Sequence, residues 1–360
     1  MRILIDIGHP AHIHLFKNFA WDMERKGHDI FFTCREKEFE IYLLKQYGFD
    51  YKSFGAKYSS MTGKVWGLFD FGIKEVIAGL KIKPDIFLSH GSIYAAHAAS
   101  LLHKPHISLE DTYNLEQIRL YKPFTKCILT ADCDHPLKAE KIIRYAGYHE
   151  LSYLHPKRFT PDKNVLKELA RDENFNYIIM RFVSWNASHD IGHSGISYDN
   201  KIRAVKEFSQ LAKVYITSEV NLPRELKEFQ FSLSPEKMHD AIAGASLVFG
   251  ESATMVSEAS VLGVPSIYID DTGRLYTREQ EEKYGLCFNY SESLDDQEKA
   301  IQKGIDILEK ENILEDWQRK RKRMLNEKID VTAFLVWFIE NWPHSFKIMK
   351  ENPDYQYRFK

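Results

Sequence analysis

The chain has 360 residues, 44% of them hydrophobic and 28% charged, which is the composition of a folded globular protein rather than a disordered one. Its 49 Lys and Arg residues nearly balance 51 Asp and Glu residues, so the net charge of −2 argues against a nucleic-acid partner. The 4 cysteines are scattered without a CxxC pair, which excludes a disulfide framework and a thiolate zinc site.

The N-terminal segment does not have the pattern of a signal peptide, because Asp6 interrupts its apolar run. The longest apolar stretches, such as residues 331–339, fall well short of the roughly 20 residues that a membrane span requires. We therefore expect a cytoplasmic protein.

Short apolar runs alternate with longer amphipathic segments along most of the chain. In the first half, strands are predicted at residues 2–6, 29–33, 85–89, 106–108 and 127–130, with helices at 12–26, 36–47 and 93–102. In the second half, strands are predicted at 177–181, 214–217, 247–250 and 266–270, with helices at 199–211, 235–243 and 254–262. This alternation predicts βαβ units and parallel sheets.

Prolines and charged residues at 155–163 interrupt the pattern and indicate a linker. We therefore predict an α/β protein with two Rossmann-like, doubly wound domains, 1–158 and 164–328, that face a central cleft. A helical tail, 329–360, follows, and its packing against the N-terminal domain is one expected arrangement.

The strongest local signal lies where a buried-type strand ends at Gly250 and a small polar turn, Ser252 to Thr254, opens the next helix. The unpaired N–H groups and the positive dipole end of such a helix suit a diphosphate. Glu258 is four residues after Thr254, on the same face, where a carboxylate can accept hydrogen bonds from ribose hydroxyls. On spacing alone, a capped helix with a surface glutamate explains the pattern equally well.

Residues 234–265 contain a helix, a strand, the small polar turn and then Glu-Ala-x3-Gly-x-Pro. This stretch resembles the donor nucleotide-sugar site of GT-B glycosyltransferases and the matching segment of UDP-N-acetylglucosamine 2-epimerases, and the whole chain resembles the DUF354 family of GT-B proteins. The resemblance implies a GT-B fold, diphosphate contacts from Ser252, Ala253 and Thr254, and a ribose contact from Glu258. The usual Ser-Gly-Gly turn is here Ser-Ala-Thr, which leaves less room for close backbone approach.

The loop after the first strand contains three histidines, His9, His12 and His14. In an α/β sheet this loop lies at the carboxyl end of a strand, where ligands bind. His12 and His14 would point about 200° apart on a helix, so they cannot bind one metal ion together. We expect one imidazole to act as a base or as a contact to the donor phosphate, His9 first and His12 second. Helix capping or a surface position is the alternative.

Two further strand ends carry polar residues, with His90 and Ser92 after one and Glu110 and Asp111 after the next. In the 2-epimerases, which this region resembles, the matching places hold a Gly-Asp-Thr turn and a Glu-Ala-Gly turn with acid–base roles. Glu110 is retained here, but Ser92 stands at the aspartate position, which disfavours an epimerase. We predict that Glu110 deprotonates an acceptor hydroxyl or orients a histidine, with Asp111 beside it. A carboxylate near a helix N-cap is the structural alternative.

Three more residues are expected to contact the donor. Arg181 follows a strand and can clamp a phosphate with its planar guanidinium group. Ser234 is predicted to cap a helix beside the nucleobase, with Pro235 at the first helical position, and Asp271 to contact sugar hydroxyls. The Asp132-Cys-Asp134 triplet matches a short metal motif of a different glycosyltransferase fold. We assign no metal ligand and no cofactor, and we expect a metal-independent enzyme.

The leading hypothesis is a glycosyltransferase that uses a nucleoside-diphosphate sugar, UDP-linked by resemblance, to build surface polysaccharide or a glycoconjugate on a sugar or lipid-linked acceptor. The alternatives are a UDP-sugar 2-epimerase and a noncatalytic nucleotide-sugar-binding protein.

Residues 61–83 carry an apolar stripe at helical spacing, flanked by lysines: Trp66, Phe69, Ile73, Ile77 and Leu80, with Lys64, Lys74, Lys81 and Lys83. The simpler interpretation is a helix whose stripe packs on the sheet. The alternative is peripheral contact with an anionic bilayer at the inner face of the membrane, which would bring the protein to a lipid-linked acceptor.

Overall fold

The computed structural model describes residues 1–36, 38–56, 58, 61–133, 136, 139–170, 176–183, 195–218, 221–231 and 233–360. The chain divides into two compact units. Unit 1 comprises Met1–Arg158 together with Lys328–Lys360, and unit 2 comprises Phe159–Glu327.

Unit 1 is built on a seven-stranded sheet in the order β3-β2-β1-β4-β5-β6-β7, in which every neighbouring pair is parallel. The strands are β1 (Arg2–Ile7), β2 (Asp29–Glu36), β3 (Tyr51–Ala56), β4 (Ile86–His90), β5 (His106–Glu110), β6 (Cys127–Ala131) and β7 (Ile142–Tyr145). The strand order reverses its direction between β1 and β4, which makes the carboxyl ends of these strands the expected ligand-binding edge.

The helices of the first 158 residues connect these strands. They are α1 (Pro10–Arg25), α2 (Glu40–Gln46), α3 (Met61–Ile82), α4 (Ile93–Leu101), α5 (Leu115–Tyr121) and the short α6 (Leu151–Leu154). Alanines of α4 pack against Phe87 of β4 and Leu4 of β1, so small side chains allow this helix to lie close to the sheet.

Unit 2 contains a five-stranded parallel sheet in the order β12-β11-β10-β8-β9. The strands are β8 (Tyr177–Phe182), β9 (Lys213–Ser218), β10 (Leu247–Gly250), β11 (Ser266–Ile269) and β12 (Cys287–Tyr290). The helices are α7 (Lys163–Ala170), α8 (Tyr198–Phe208), α9 (Met238–Ala243), α10 (Ala253–Leu262), α11 (Leu275–Glu282), α12 (Leu294–Glu309) and α13 (Ile313–Glu327). A buried core that includes Phe182, Phe208 and Phe249 joins the sheet to α8 and α12.

The last residues return to unit 1 as α14 (Val331–Glu340) and α15 (His344–Glu351). Arg158 forms ion pairs with Asp22 of α1, at 2.6 Å, and with Asp330, at 2.8 Å, so it joins the first helix to the start of the tail. Asp330 also caps α14 by accepting a hydrogen bond from the Ala333 N–H. The predicted α/β architecture, with two parallel sheets and a helical C-terminal region, is confirmed.

Helix α3 presents its apolar stripe outward. The exposed fractions are 63% for Trp66, 64% for Phe69 and 61% for Ile73, whereas Phe71 and Glu75 are buried on the opposite side. The helix is packed on unit 1 as the simpler interpretation predicted, through Phe71 and Ala78 against Phe54 of β3, but the apolar stripe is not the face that packs. No helix among the described residues is long and apolar enough to cross a membrane.

Candidate functional site

Three polar side chains meet at the carboxyl edge of the unit 1 sheet. His90 is the last residue of β4, Asp111 directly follows β5, and His149 lies shortly after β7. The Nε2 atom of His90 is 2.9 Å from Oδ1 of Asp111, and Nδ1 of His149 is 2.9 Å from Oδ2. The side chains are 12%, 16% and 7% exposed, in that order, so the group is shielded from water although it lies at a sheet edge.

The charges of this group stabilise one another. Burial would raise the pKa of Asp111, but the charges and hydrogen bonds of His149 and His90 outweigh burial and hold that pKa well below its usual value. Burial would lower the pKa of His90, but the Asp111 carboxylate raises it to about 9. An imidazolium–carboxylate pair is therefore the stable form of His90 and Asp111 in this arrangement.

His12, in the first turn of α1, packs against this group with its ring centroid 4.6 Å from that of His90. Its Nδ1 accepts a hydrogen bond from the Gly8 N–H, at 3.2 Å. Burial, followed by the charges of His90 and His9, lowers the pKa of His12 well below the usual value. A neutral imidazole whose Nδ1 accepts a hydrogen bond must carry its proton on Nε2. In this geometry the His12 ring offers its Nε2–H as a hydrogen-bond donor, and its role as a base or as a contact to the donor phosphate stays a prediction.

His9 and Glu110 are engaged in local structure. The Nδ1 atom of His9 accepts a hydrogen bond from the Ala11 N–H and caps α1, while Nε2 lies 3.8 Å from the Glu38 carboxylate. The Glu110 side chain accepts hydrogen bonds from both the N–H and the hydroxyl of Thr112, from the Tyr113 N–H and from the Tyr121 hydroxyl. His9 therefore caps a helix, and Glu110 is a carboxylate near the start of the next helix, as the structural alternatives to a catalytic role predicted.

Ser92 also has a structural role at this edge. It caps α4 by accepting a hydrogen bond from the Ala95 N–H, and its hydroxyl donates to Asp6, which in turn binds both terminal nitrogens of Arg35. The residue at the position of the epimerase aspartate thus belongs to a buried polar network.

The edge of the unit 2 sheet is formed mainly by backbone. Gly250 ends β10 with φ at +148°, and a Cβ atom there would lie 2.0 Å from the Arg181 carbonyl oxygen. Ser252 caps α10 by accepting a hydrogen bond from the Met255 N–H, and Ala253 and Thr254 form the first turn. The positive φ at Gly250 lets the chain turn beside β8 and start this helix at the sheet edge.

Two buried pairs of polar side chains support this turn. The Glu251 carboxylate lies 2.8 Å from Nζ of Lys201 and accepts hydrogen bonds from the N–H groups of Val183 and Ile196. The Glu258 carboxylate, one turn into α10, lies 2.9 Å from Nε2 of His239 on α9. Sequence reasoning missed Lys201, His239 and the role of Glu251, because the partners come from separate elements and share no motif.

The other residues that were predicted to contact the nucleotide-sugar donor differ in how far they are buried. Arg181 is partly buried near the end of β8, with Nη1 3.4 Å from Oγ1 of Thr217. Pro235 begins a short 3₁₀ helix as expected, but the Ser234 hydroxyl donates to the Glu236 carboxylate and does not cap the helix, so that part of the prediction is wrong. Asp271 is exposed and accepts a hydrogen bond from the Glu292 N–H.

Of the DxD triplet, Asp132 is exposed, and Asp134 lies outside the described residues. No metal ligand was predicted from the sequence, because residues 90, 111 and 149 are too far apart along the chain to form a recognisable metal-binding motif. The fold nevertheless brings together His90, Asp111 and His149, a set of side chains that could hold a metal ion.

Residues 1–279 match the family model DUF354, described as a protein of unknown function. No curated protein sequence matches the chain. Among solved structures, the chain is similar to the UDP-GlcNAc 2-epimerase of Methanocaldococcus jannaschii, with 15% identity, a TM-score of 0.61 and coverage of 86% of this chain and 94% of that one.

It is also similar to the Neisseria meningitidis UDP-GlcNAc 2-epimerase bound to UDP-GlcNAc. The identity is 12%, the TM-score is 0.59, and the match covers 91% of this chain and 99% of that one. The third similar structure is a glycosyltransferase of Streptomyces sp. SF2575, with 11% identity, a TM-score of 0.60 and coverage of 95% and 100%. At these identities the likeness concerns the fold. The chain belongs to the DUF354 family and has the α/β GT-B fold.

Proposed function

We propose that this protein is a glycosyltransferase that binds a nucleoside-diphosphate sugar, UDP-linked, on unit 2. The observation that carries the proposal is the start of α10, where the Gly250 turn, the Ser252 cap and the first helical turn leave backbone N–H groups at a sheet edge. A helix N-terminus in this position binds the diphosphate of nucleotides in many α/β proteins.

Arg181 is next to the same turn through its backbone, whereas its guanidinium group lies at Thr217 on β9 and would have to swing toward the turn to reach a diphosphate. Its backbone pairs with Gly250 across β8 and β10, and its carbonyl accepts the Glu251 N–H at 3.0 Å. A guanidinium group and a helix N-terminus can together neutralise a departing diphosphate without a metal ion. We therefore expect donor binding to be unchanged in EDTA, as measured by calorimetry. Loss of binding that Mn²⁺ restores would contradict metal-independent donor binding.

Glu258 is the proposed ribose contact. Its pairing with His239 fixes the carboxylate one turn behind the end of α10 where the diphosphate is proposed to bind, and the side chain is largely buried. One carboxylate oxygen can accept a hydrogen bond from a ribose hydroxyl while the other keeps the contact to His239. Ser234 is proposed to contact the nucleobase and Asp271 the sugar.

Unit 1 is the proposed acceptor side. His12 offers its Nε2–H as a donor, and the Asp111 carboxylate beside it is the proposed contact for the acceptor hydroxyl. In the proposed reaction, the acceptor oxygen forms a bond to the anomeric carbon, the bond to the diphosphate breaks, and the acceptor proton is released. His9 and Glu110 are assigned to positioning of the loops that carry these groups.

A panel of nucleotide sugars tests the function. With purified protein and candidate acceptors, a transferase releases nucleoside diphosphate only when an acceptor is present. A 2-epimerase, which the fold neighbours favour as the second candidate, would change the donor without an acceptor. Binding without either reaction would leave a noncatalytic nucleotide-sugar-binding protein, and absence of binding to every donor would contradict the proposal.

We further propose that the acceptor is lipid-linked and that α3 contacts an anionic bilayer at the inner face of the membrane, as in synthesis of surface polysaccharide. The side chains of Trp66, Phe69, Ile73 and Leu80 are more than half exposed. Asp70 is paired with Lys74, Glu75 is buried, and Lys81 and Lys83 are exposed at the end of the helix. An apolar face bordered by cations and with its acids paired or buried suits anionic lipid.

Flotation with liposomes that contain phosphatidylglycerol tests this contact. The wild-type protein should float at low salt, and a variant with Trp66→Ser and Phe69→Ser should remain in solution. Leu294→Ser, which removes a side chain that is 65% exposed on unit 2, is the control and should float as the wild type does. If the wild-type protein stays in solution and forms a dimer through α3, the bilayer contact is wrong and the apolar face binds a second copy of the chain.

A further inference from the structure

We propose that His90, Asp111 and His149 form a binding site for one divalent transition-metal ion, with Zn²⁺ as the best match. Two imidazoles and one carboxylate are a ligand set of the borderline type that zinc prefers. Each residue offers one ligand atom, and these atoms lie within 4.8 Å of one another.

The spacing is close to that of a tetrahedral ion. Bonds of about 2.0 to 2.2 Å at tetrahedral angles put ligand atoms roughly 3.3 Å apart. Each histidine nitrogen is now 2.9 Å from an Asp111 oxygen. All three ligand atoms lie within 4.8 Å of one another, and the side chains would have to rotate so that their lone pairs point at one centre.

The surroundings hold the rings in place. The His90 ring lies between the rings of His12 and His149, with centroids 4.6 Å and 5.1 Å away. The Tyr145 ring stacks on His149 at 6.2 Å, with 17° between the planes. Ligands that are fixed by packing lose little freedom when an ion binds, so the affinity of such a site is high for its ligand number.

A second observation points to a missing partner at this place. The Tyr145 hydroxyl and Nε2 of His149 are buried and have no hydrogen-bond partner among the described residues. Buried polar atoms without partners are uncommon because each loses its hydrogen bonds to water and gains none in the folded protein. The Tyr145 ring stacks on the His149 ring, so these unpartnered atoms belong to the same buried neighbourhood as the three proposed ligands.

Three protein ligands leave a fourth position open, which is the arrangement of catalytic rather than structural zinc sites. The existence of the site does not depend on the proposed glycosyltransferase function. If that function is correct, an acceptor hydroxyl bound at the open position would lose its proton more readily, because the ion stabilises the alkoxide. Donor binding on unit 2 would remain independent of the ion.

Cobalt substitution tests the site in the full-length protein. After removal of bound metal with EDTA, Co²⁺ titration should give visible absorption of the intensity typical of four-coordinate Co²⁺, saturating at one equivalent, and Zn²⁺ should displace it. X-ray absorption of the zinc form should show two imidazole ligands. His149→Ala and Asp111→Asn should each lower the affinity by more than about 100-fold.

His97→Ala is the matched control, because His97 lies in the same unit but its Nε2 contacts the Leu120 carbonyl, away from this group. It should bind Co²⁺ as the wild type does. Circular dichroism and thermal melts identify any variant that fails to fold, and the wild-type spectrum alone remains decisive in that case. If the wild type gives only the weak spectrum of hydrated Co²⁺, the three residues form a hydrogen-bonded charge pair without metal and the proposal is wrong.

Discussion

The two units use the same sheet edge in opposite ways. In unit 1 the carboxyl edge is formed by side chains, with Asp111 shared between His90 and His149 and with His12 packed against them. In unit 2 it is formed by backbone, with a glycine turn and the N-terminus of α10, and the nearby carboxylates are already paired.

This difference follows from the chemistry that each edge can support. Ionisable side chains that are buried together shift one another's protonation and can hold or move a proton or a cation. A helix N-terminus provides fixed partial positive charge that does not titrate, which suits an anion such as a diphosphate. The proposed roles therefore separate anion binding, in unit 2, from proton or cation chemistry, in unit 1. Four predictions test this comparison.

The largest effect is expected for Lys201→Met. The substitution leaves the Glu251 carboxylate buried with only backbone N–H partners, and loss of one member of a buried ion pair costs about 3 to 5 kcal/mol. Chemical denaturation should record this loss of stability for unit 2. Lys299→Met removes an exposed partner of Asp295 and should leave the stability nearly unchanged, because water screens this ion pair. Equal losses in the two variants would show that the buried pair does not support the unit 2 edge.

Gly250→Ala should destabilise unit 2 by about 3 kcal/mol and abolish donor binding, because the added Cβ meets the Arg181 carbonyl in a backbone conformation that only glycine adopts readily. Gly273→Ala is the control, with φ at +59° and open space around the Cβ position, and should cost about 1 kcal/mol. Differential scanning calorimetry measures both. A Gly250→Ala variant as stable as Gly273→Ala would contradict the close approach of β10 to β8.

Glu258→Ala should weaken nucleotide-sugar binding by about 1.5 to 3 kcal/mol, roughly 10- to 150-fold, because a charge-assisted hydrogen bond to the ribose is lost. Isothermal titration calorimetry gives the affinity. A thermal melt measures separately any loss of stability that follows from removing the contact between Glu258 and His239. Glu282→Ala, on the exposed side of α11, should bind as the wild type does. An unchanged affinity for Glu258→Ala would remove this residue from the donor site.

The smallest effect concerns His106, which is buried in the unit 1 sheet between the hydroxyls of Ser89 and Thr125. Burial, assisted by His97, lowers its pKa from 6.5 to about 3. Between these values the unfolded chain binds a proton at this residue and the folded chain does not. The contribution of His106 to the free energy of unfolding is therefore present in full well above pH 6.5. It falls as the pH decreases, by about 1.3 kcal/mol from pH 7 to pH 5.5.

His106→Asn should reduce this pH dependence while keeping polar contacts to both hydroxyls. Denaturation curves at pH 7 and pH 5.5 for the two proteins give the comparison. An identical loss of stability in the variant would show that other groups cause the acid sensitivity of unit 1.

Local signals in the sequence predicted much of the fold. The central strand β10 is a continuous apolar run and β4 begins with three apolar residues, because both faces of a parallel sheet are covered. The short outer strands β3, β7 and β12 were not recognised from their sequences, since Lys52, Arg144 and Asn289 interrupt their apolar character at positions that are not fully buried. Pairing to a neighbour, rather than composition, makes these segments strands.

The start of α10 is the part of the candidate site that the sequence itself determines. The glycine, the capping serine and the following glutamate lie within nine residues and act through local geometry, so their order along the chain is sufficient to predict their arrangement. The pairing of His90 with Asp111 and His149, and of Lys201 with Glu251, was decided only by the tertiary structure. These partners come from different strands and helices, and only the packing of the sheet brings them into contact. The outward direction of the α3 stripe was decided in the same way, because helical periodicity shows that a face is apolar but not what that face contacts.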